Sequence, residues 1–321
     1  MGVRLGQLLE SSKLELATLA RKSIAIDASN ALYQFLATIR LPSGEPLTDR
    51  AGNVTSHLVG LFNRTVRLLE LRIRPVFVFD GSPPALKEAE LAARKAAKLE
   101  AESAWKTALA AGRLGEARRL AARALWLTDP MLEEAKALIS ALGLPFVQAP
   151  GEADAQAALI CARGEVWAVA SQDFDCLLFG TLRLVRGLAI KAQLIELYEL
   201  ERELARLGLK REQLIAVALL IGTDYHSGGV PGMGPARALA LVRKQRELEA
   251  IFRAVNWSSH FDFDWRVPFE LFTKPAVSLD YELEWRPPDR QALLELLCDR
   301  HDFVRARVEA ALSRLGKGLA A

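Results

Sequence analysis

The chain has 321 residues, a formal net charge of +3 and 51% hydrophobic residues, enough apolar material for one large core or two smaller ones, and too small a charge bias to argue a polyanionic partner from net charge alone. Cys161, Cys176 and Cys298 lack metal-finger spacing, and an odd count suits a reducing compartment better than a disulfide framework. Met1-Gly2-Val3-Arg4-Leu5 carries no long apolar stretch and no run approaches a membrane span, so a soluble, intracellular protein is expected; Gly6, where Ser or Thr is needed, also breaks the myristoylation pattern at Gly2.

In chain order, Ser23 to Asp27 and Pro75 to Asp80 read as buried parallel strands, joined through helical patterns at Ala31 to Arg40 and Ser56 to Arg72. Gly81-Ser82-Pro83-Pro84 then leads into a stretch of Ala, Lys, Glu, Arg and Leu from Ala85 to about Leu127, rich in helix formers and in cations such as Lys87, Arg94, Lys95 and Lys98. Taken alone, it is a solvated helical hairpin with i,i+4 charge pairs. Its place directly after an acidic strand end shifts it toward binding. The α/β alternation resumes with a helix near Pro130 to Leu142, a strand at Leu144 to Val147, a helix from Gly151 to Cys161 and a strand at Val166 to Ala170. Leu182 to Arg186 is a candidate strand, Arg211 to Ile221 a helix, and Gly228 to Arg237 a glycine-rich turn feeding a helix with Arg243, Lys244 and Arg246. The remainder is mainly helical with Pro-containing loops. The expectation is an α/β fold with a central, mostly parallel sheet flanked by helices.

Seven carboxylates stand out against this frame: Asp27, Asp80, Glu152, Asp154, Asp173, Asp175 and Asp224, each just after an apolar run or at the start of a helical stretch. One acid at a strand end is usually a cap or a turn residue. Five such places in one chain are hard to explain that way, because carboxyl edges of open α/β sheets are where ligands bind. Converging acids repel and their pKa values climb unless hard cations such as Mg²⁺ neutralise them, which points to metal-dependent phosphoryl transfer. One of Glu152 and Asp154 is expected to cap helix amides while the other faces metal. Asp173 and Asp175 have strand spacing, with Phe174 turned inward. The Gly-Val-Pro-Gly-Met-Gly-Pro turn suits close backbone approach to a phosphate. Asp262 and Asp264 sit in a loop-like region and read as structural. The scattered His57, His226, His260 and His301 do not suggest a zinc site.

At these residues the chain resembles the flap endonucleases, members of the XPG-type family of structure-dependent 5′ nucleases, and is most similar to compact archaeal members. The blocks are Ile-Asp27-Ala-Ser-Asn-Ala-Leu-Tyr33, Thr55-Ser-His-Leu-Val-Gly, Val-Phe-Asp80-Gly-Ser-Pro-Pro, Ala-Pro-Gly-Glu152-Ala-Asp154-Ala, Ser-Gln-Asp173-Phe-Asp175-Cys-Leu-Leu-Phe-Gly, and Gly-Thr-Asp224-Tyr through Gly-Met-Gly-Pro. The resemblance implies a PIN-like nuclease core at 1–240, with a helical arch at about 85–127 and a helix-turn-helix-type duplex-binding element at about 212–246, and a helical region at 247–321 packed on it. It implies two Mg²⁺ ions, with Mn²⁺ as a substitute. Asp27, Asp80, Glu152 and Asp154 would form one metal group, and Asp173, Asp175 and Asp224 the other. Asp154 stands where the family usually has Glu, one methylene longer. Lys87 and Arg94 match catalytic arch residues that reach the scissile phosphate, and Tyr33 matches the residue on which a base near the cut stacks. Gly2, Thr55, Arg64, Arg67, Gly232, Gly234 and Arg237 are the remaining DNA-binding candidates, with K⁺ implied at the glycine-rich turn.

The implied activity is hydrolysis of a phosphodiester near the base of a 5′ flap in DNA replication and repair, with accompanying 5′ exonuclease activity, by a monomer located in the cytoplasm or nucleoid if archaeal and in the nucleus if eukaryotic. The implied partner is branched DNA. The Phe-rich motif that docks family members on a sliding clamp is not visible at Gly316-Lys317-Gly318-Leu319-Ala320-Ala321. Alternatives that keep the motifs are a 5′ exonuclease, another XPG-type junction nuclease, or a non-catalytic DNA-junction binding protein. A small-substrate metal phosphatase would leave the basic insertion without a purpose.

Overall fold

The computed structural model describes residues 4–121, 123–124, 126–188 and 193–319. Its centre is a seven-stranded sheet built from β1 (Ser12–Glu15), β2 (Ser23–Asp27), β3 (Arg74–Phe79), β4 (Phe146–Gln148), β5 (Ala168–Ala170), β6 (Arg183–Arg186) and β7 (Leu194–Glu199). Across the sheet the order is β1-β7-β6-β5-β2-β3-β4. The strands from β6 through β4 run parallel, and β7 and β1 add an antiparallel edge.

Around the sheet lie α1 (Ala28–Thr38), α2 (Ser56–Glu70), α3 (Glu88–Ala110), α4 (Leu114–Ala121), α5 (Asp129–Ala141), α6 (Ala153–Ala162), α7 (Asp175–Leu178), α8 (Leu200–Leu207), α9 (Arg211–Ile221), α10 (Pro235–Gln245), α11 (Leu248–Ala254), α12 (Arg266–Thr273), α13 (Arg290–Leu294) and α14 (Arg305–Leu319). The period-2 alternation of each strand feeds two cores. Ile24, Ile26, Phe77 and Phe79 pack with α1, α2 and α5 on one face, and Ala25, Val76, Val78 and Val169 pack with α6 and α9 on the other. Helix α9 is buried from Leu214 to Ile221, as a helix apolar all round must be.

The chain after 247 adds to both cores: Phe252, Trp257 and Phe272 join the one under α6 and α9, and Leu293, Leu297, Val308 and Leu315 the one under α1, α2 and α5. Among the described residues no helix is long and apolar enough to cross a membrane.

The strand order positions the site. The chain passes from β2 to β3 and β4 on one side, then crosses back to place β5 against the opposite edge of β2, making β2/β5 a switch point where the strand order reverses. Asp27 is in register with Val78, and Ile26 with Ala170, so the residues that follow β2, β3 and β5 emerge at one edge. Gly81 lets the exit of β3 touch that of β4: its N–H donates to Gly151 O at 2.6 Å, and a Cβ there would lie 2.2 Å from Ala149 O.

Candidate active site

All seven predicted acids line one cavity of about 720 Å³, together with Tyr33, Lys87, Arg94, Lys98 and Arg123. Asp27 ends β2 and caps α1, its Oδ1 accepting the Asn30 N–H at 2.9 Å. That cap is why α1 begins at Ala28 rather than near Ala31. Asp80, one residue past β3, accepts the Ala153 N–H at 2.9 Å. The start of α6 is thus capped from a neighbouring strand. This corrects the expectation that Glu152 or Asp154 would do it, for the Glu152 side chain makes no cap bond. Asp173 and Asp175 do not lie on a strand. β5 stops at Ala170, the chain turns, and Asp175 opens α7, while Phe174 is buried as expected.

Neighbours from distant segments hold the acids. The Cys176 thiol donates to Asp154 Oδ1 at 3.0 Å, the Tyr225 hydroxyl to Glu152 Oε2, and Asn30 Nδ2 to Asp173 Oδ2 at 3.4 Å. Lys87 pairs with Glu152 and lies 3.7 Å from Asp224. Arg94 reaches Asp224 at 2.9 Å and also pairs with Glu90. Seven positions apart at the start of α3, Lys87 and Arg94 converge on one carboxylate, as a shared helical face requires.

Electrostatics follow from crowding. Burial, then the charges of Asp154 and Asp80, raise Asp27 well above the ordinary carboxylate range. Burial raises Asp154 to about 7, with Asp173, Asp80 and Glu152 adding to it against the lowering bond from Cys176. Burial alone would lower Lys87, but Glu152, Asp224 and Asp175 outweigh it and keep the ammonium charged. Burial also opposes Arg94's charge, and Asp224 and Glu90 outweigh it. The site is therefore an anionic basin with two cations partly neutralising its rim. Among the described residues no three His, Cys, Asp or Glu side chains already surround one point, so the acids form a basin rather than a finished coordination shell. Their donor chemistry and their mutual repulsion fit hard divalent cations.

The other candidates are placed unevenly. Tyr33 lines the basin. Thr55 sits before α2 and lines a separate cavity between that helix and α14. Arg67 is exposed on α2 beside Glu70. Arg64 is turned inward: it is buried, donates to Gln34 and lies over the Phe35 ring, and burial lowers its pKa to about 10. Gly2 lies outside the described residues. In the turn between α9 and α10, Gly229 takes φ +61, and a Cβ there would lie 2.3 Å from the Ile221 carbonyl carbon. Gly234 precedes α10 with nothing within 4 Å of its Cβ position, and Arg237 donates to Gly232 O at 3.0 Å. Arg243 is committed to Leu207 O at 2.8 Å.

The sequence reading missed Asn30, Cys176 and Tyr225; the only signal was that each lies within three residues of a motif acid. It also scattered the histidines, whereas His57 and His301 both meet Glu134, at 3.0 and 3.4 Å. Asp262 and Asp264 do lie in a loop, where Asp264 accepts the Arg266 N–H at 2.8 Å.

Acids gathered at the switch point of a parallel sheet, under cations that can equally meet a phosphate, mark an α/β phosphodiester hydrolase. Residues 1–101 match the XPG N-terminal domain and residues 143–224 the XPG I-region. Flap endonuclease 1 of Pyrococcus abyssi is 46% identical over 333 aligned residues, covering 100% of this chain and 96% of that protein. The Aeropyrum pernix protein of the same name is 47% identical, covering 99% and 95%. Among solved structures, flap endonuclease-1 from Methanococcus jannaschii has a TM-score of 0.80 at 38% identity over 99% of both chains. Human GEN1 in complex with Holliday junction DNA has a TM-score of 0.73 at 25% identity over 99% of this chain and 78% of that one. The chain belongs to the flap endonuclease family of XPG nucleases, enzymes that hydrolyse phosphodiester bonds.

Proposed function

We infer that this protein cleaves branched DNA near the base of a 5′ flap, with 5′ exonuclease activity alongside, and that it recognises the shape of the junction rather than its sequence. The carrying observation is the convergence of seven acids with Lys87 and Arg94 in one basin, in a chain related over its whole length to flap endonucleases. The nuclease core is assigned to 1–240, with the arch at about 85–127 and the glycine-rich element at about 212–246, and the packed helical region to 247–321.

Asp27, Asp80, Glu152 and Asp154 would hold one Mg²⁺, and Asp173, Asp175 and Asp224 a second. Mn²⁺ would be an acceptable substitute and K⁺ would suit the glycine-rich turn. Bound divalent ions would activate a water and stabilise the leaving oxygen. The protein's own groups do the rest. Lys87 and Arg94 bring positive charge to where the phosphate becomes more anionic. Tyr33 offers a face to an unstacked base, and the exposed cations of α3 follow the unpaired strand without reading its bases. Arg67, Thr55, Gly232, Gly234 and Arg237 would contact the duplex arms. Arg64, buried as it is, would act by supporting α1 through Gln34. We read the protein as a monomer and keep a sliding clamp among its candidate partners.

The test is incubation with end-labelled double-flap, blunt-duplex and four-way-junction DNA, with and without Mg²⁺. A metal-dependent incision near the flap base, faster than cutting of the other two substrates, is the expected result. Preferential cutting of the four-way junction would replace the reading by a resolvase, and binding without incision by a junction-binding protein.

The crowded acids also make metal and pH interdependent. Without divalent ions, Asp27 and Asp154 have higher pKa values folded than unfolded, so the folded state binds more protons between about pH 4 and the folded values. Their contribution to stability therefore falls as pH rises, through about 7 for Asp154. Mg²⁺ should then raise the melting temperature more at pH 8 than at pH 5.5. Asp154→Asn should shrink that difference. Equal gains at the two pH values would contradict the assignment of these acids to metal.

A further inference from the structure

Trp126, between α4 and α5 at the end of the arch segment, is only partly covered, and its ring lines a cavity of about 490 Å³ that also meets Tyr33, Lys98, Asp80, Lys87 and Arg94. Lys98, on α3, holds its Nζ 4.5 Å from the centre of the Tyr33 ring and 5.5 Å from that of Trp126, and donates to the Tyr33 hydroxyl at 3.2 Å. Two rings from separate elements thus face one spot. The Trp126 indole N–H donates to Glu102 Oε2 at 3.0 Å, which pins the ring by its edge and leaves a face for the cavity.

An ammonium between aromatic faces is a favourable resting arrangement. The same faces suit a nucleobase, because every base has a π-face and stacking needs no particular base identity. We propose that Trp126 and Tyr33 form a two-sided stacking slot for an unpaired base of single-stranded DNA, with Lys98 leaving the slot for the adjoining phosphate as the base enters. The proposal rests on the flap-endonuclease reading. Trp126 is its new element: a binding residue at the root of the arch that holds the unpaired strand beside the acids and favours strands that present a base there.

The experiment is single-turnover cleavage of flap DNAs in which one abasic site is walked through the nucleotides flanking the cut, using the wild-type protein, Trp126→Ala and Trp126→Phe. An abasic site at one position should slow the wild type about tenfold. Trp126→Ala should be about tenfold slower on the intact flap and lose little more at that position, while Trp126→Phe, which keeps a face and lacks the N–H, should stay near wild type. Three results would overturn the slot: wild-type rates for Trp126→Ala on intact flaps, the same loss for Trp126→Ala at every abasic position, or Trp126→Phe as slow as Trp126→Ala. The last would assign the effect to the Glu102 bond. A wild-type protein that cuts no flap would sink the functional reading and the slot together, whereas robust wild-type cutting with any of those three results sinks the slot alone.

Discussion

Replacing Asp175 by alanine is expected to lower single-turnover cleavage of a flap substrate by roughly 10³-fold or more, the scale on which loss of one preorganised charge-stabilising group registers, with flap affinity unchanged or slightly tighter. Asp175 opens α7 at the edge of the basin and is buried, so no neighbouring acid can move far enough to replace it without unwinding that turn. Binding should survive on the proposed contacts of the exposed cations of α3 and α2 with phosphates elsewhere, and removing a carboxylate from the anionic basin lessens its repulsion of DNA. Asp175→Asn should behave like the alanine variant, since the amide keeps the shape and loses the charge. Rates near wild type for either variant, with fluorescence anisotropy showing unchanged binding, would remove Asp175 from the metal set.

The basin was legible in the sequence because four of its five entry points follow apolar runs or a Pro-Gly break, and a buried strand must deliver its next residue to the sheet edge. Register then does what sequence order cannot show: β5 crosses to the far side of β2, bringing Asp173 and Asp175 next to Asp27. The misreadings share a cause. Asp80 reaching the Ala153 amide, Cys176 reaching Asp154 and Tyr225 reaching Glu152 are contacts between distant segments, and local propensity says nothing about them. Asp173-Phe174-Asp175 has strand spacing, but β5 has already ended and the buried Phe174 is equally served by a turn. The antiparallel edge escaped for a different reason: β1 is four residues with exposed Lys13 and Leu194 opens β7 half in solvent, so neither carries the apolar run that exposed β2 and β3.

Lys87→Ala is expected to slow the chemical step by about 10²- to 10³-fold while tightening divalent-ion binding, and the two effects together separate catalysis from simple structural pairing. Lys87 pairs with Glu152 and stands 3.7 Å from Asp224, so in the absence of substrate its ammonium competes with any cation for the same oxygens. Removing it leaves Glu152 to the Tyr225 hydroxyl and deepens the negative potential of the basin. A Lys that served only as a counter-charge would on that ground be replaceable by metal, and its loss would cost little rate at saturating Mg²⁺. A Lys that must turn from carboxylate to phosphate as DNA arrives would cost rate at any Mg²⁺ concentration. Arg94→Ala should behave alike, and because both side chains reach Asp224, the double variant should lose less than the product of the two single losses. Mn²⁺ titration followed by electron paramagnetic resonance, paired with single-turnover rates across Mg²⁺ concentration, reads both effects; recovery of the wild-type rate at high Mg²⁺ would reduce Lys87 and Arg94 to counter-charges.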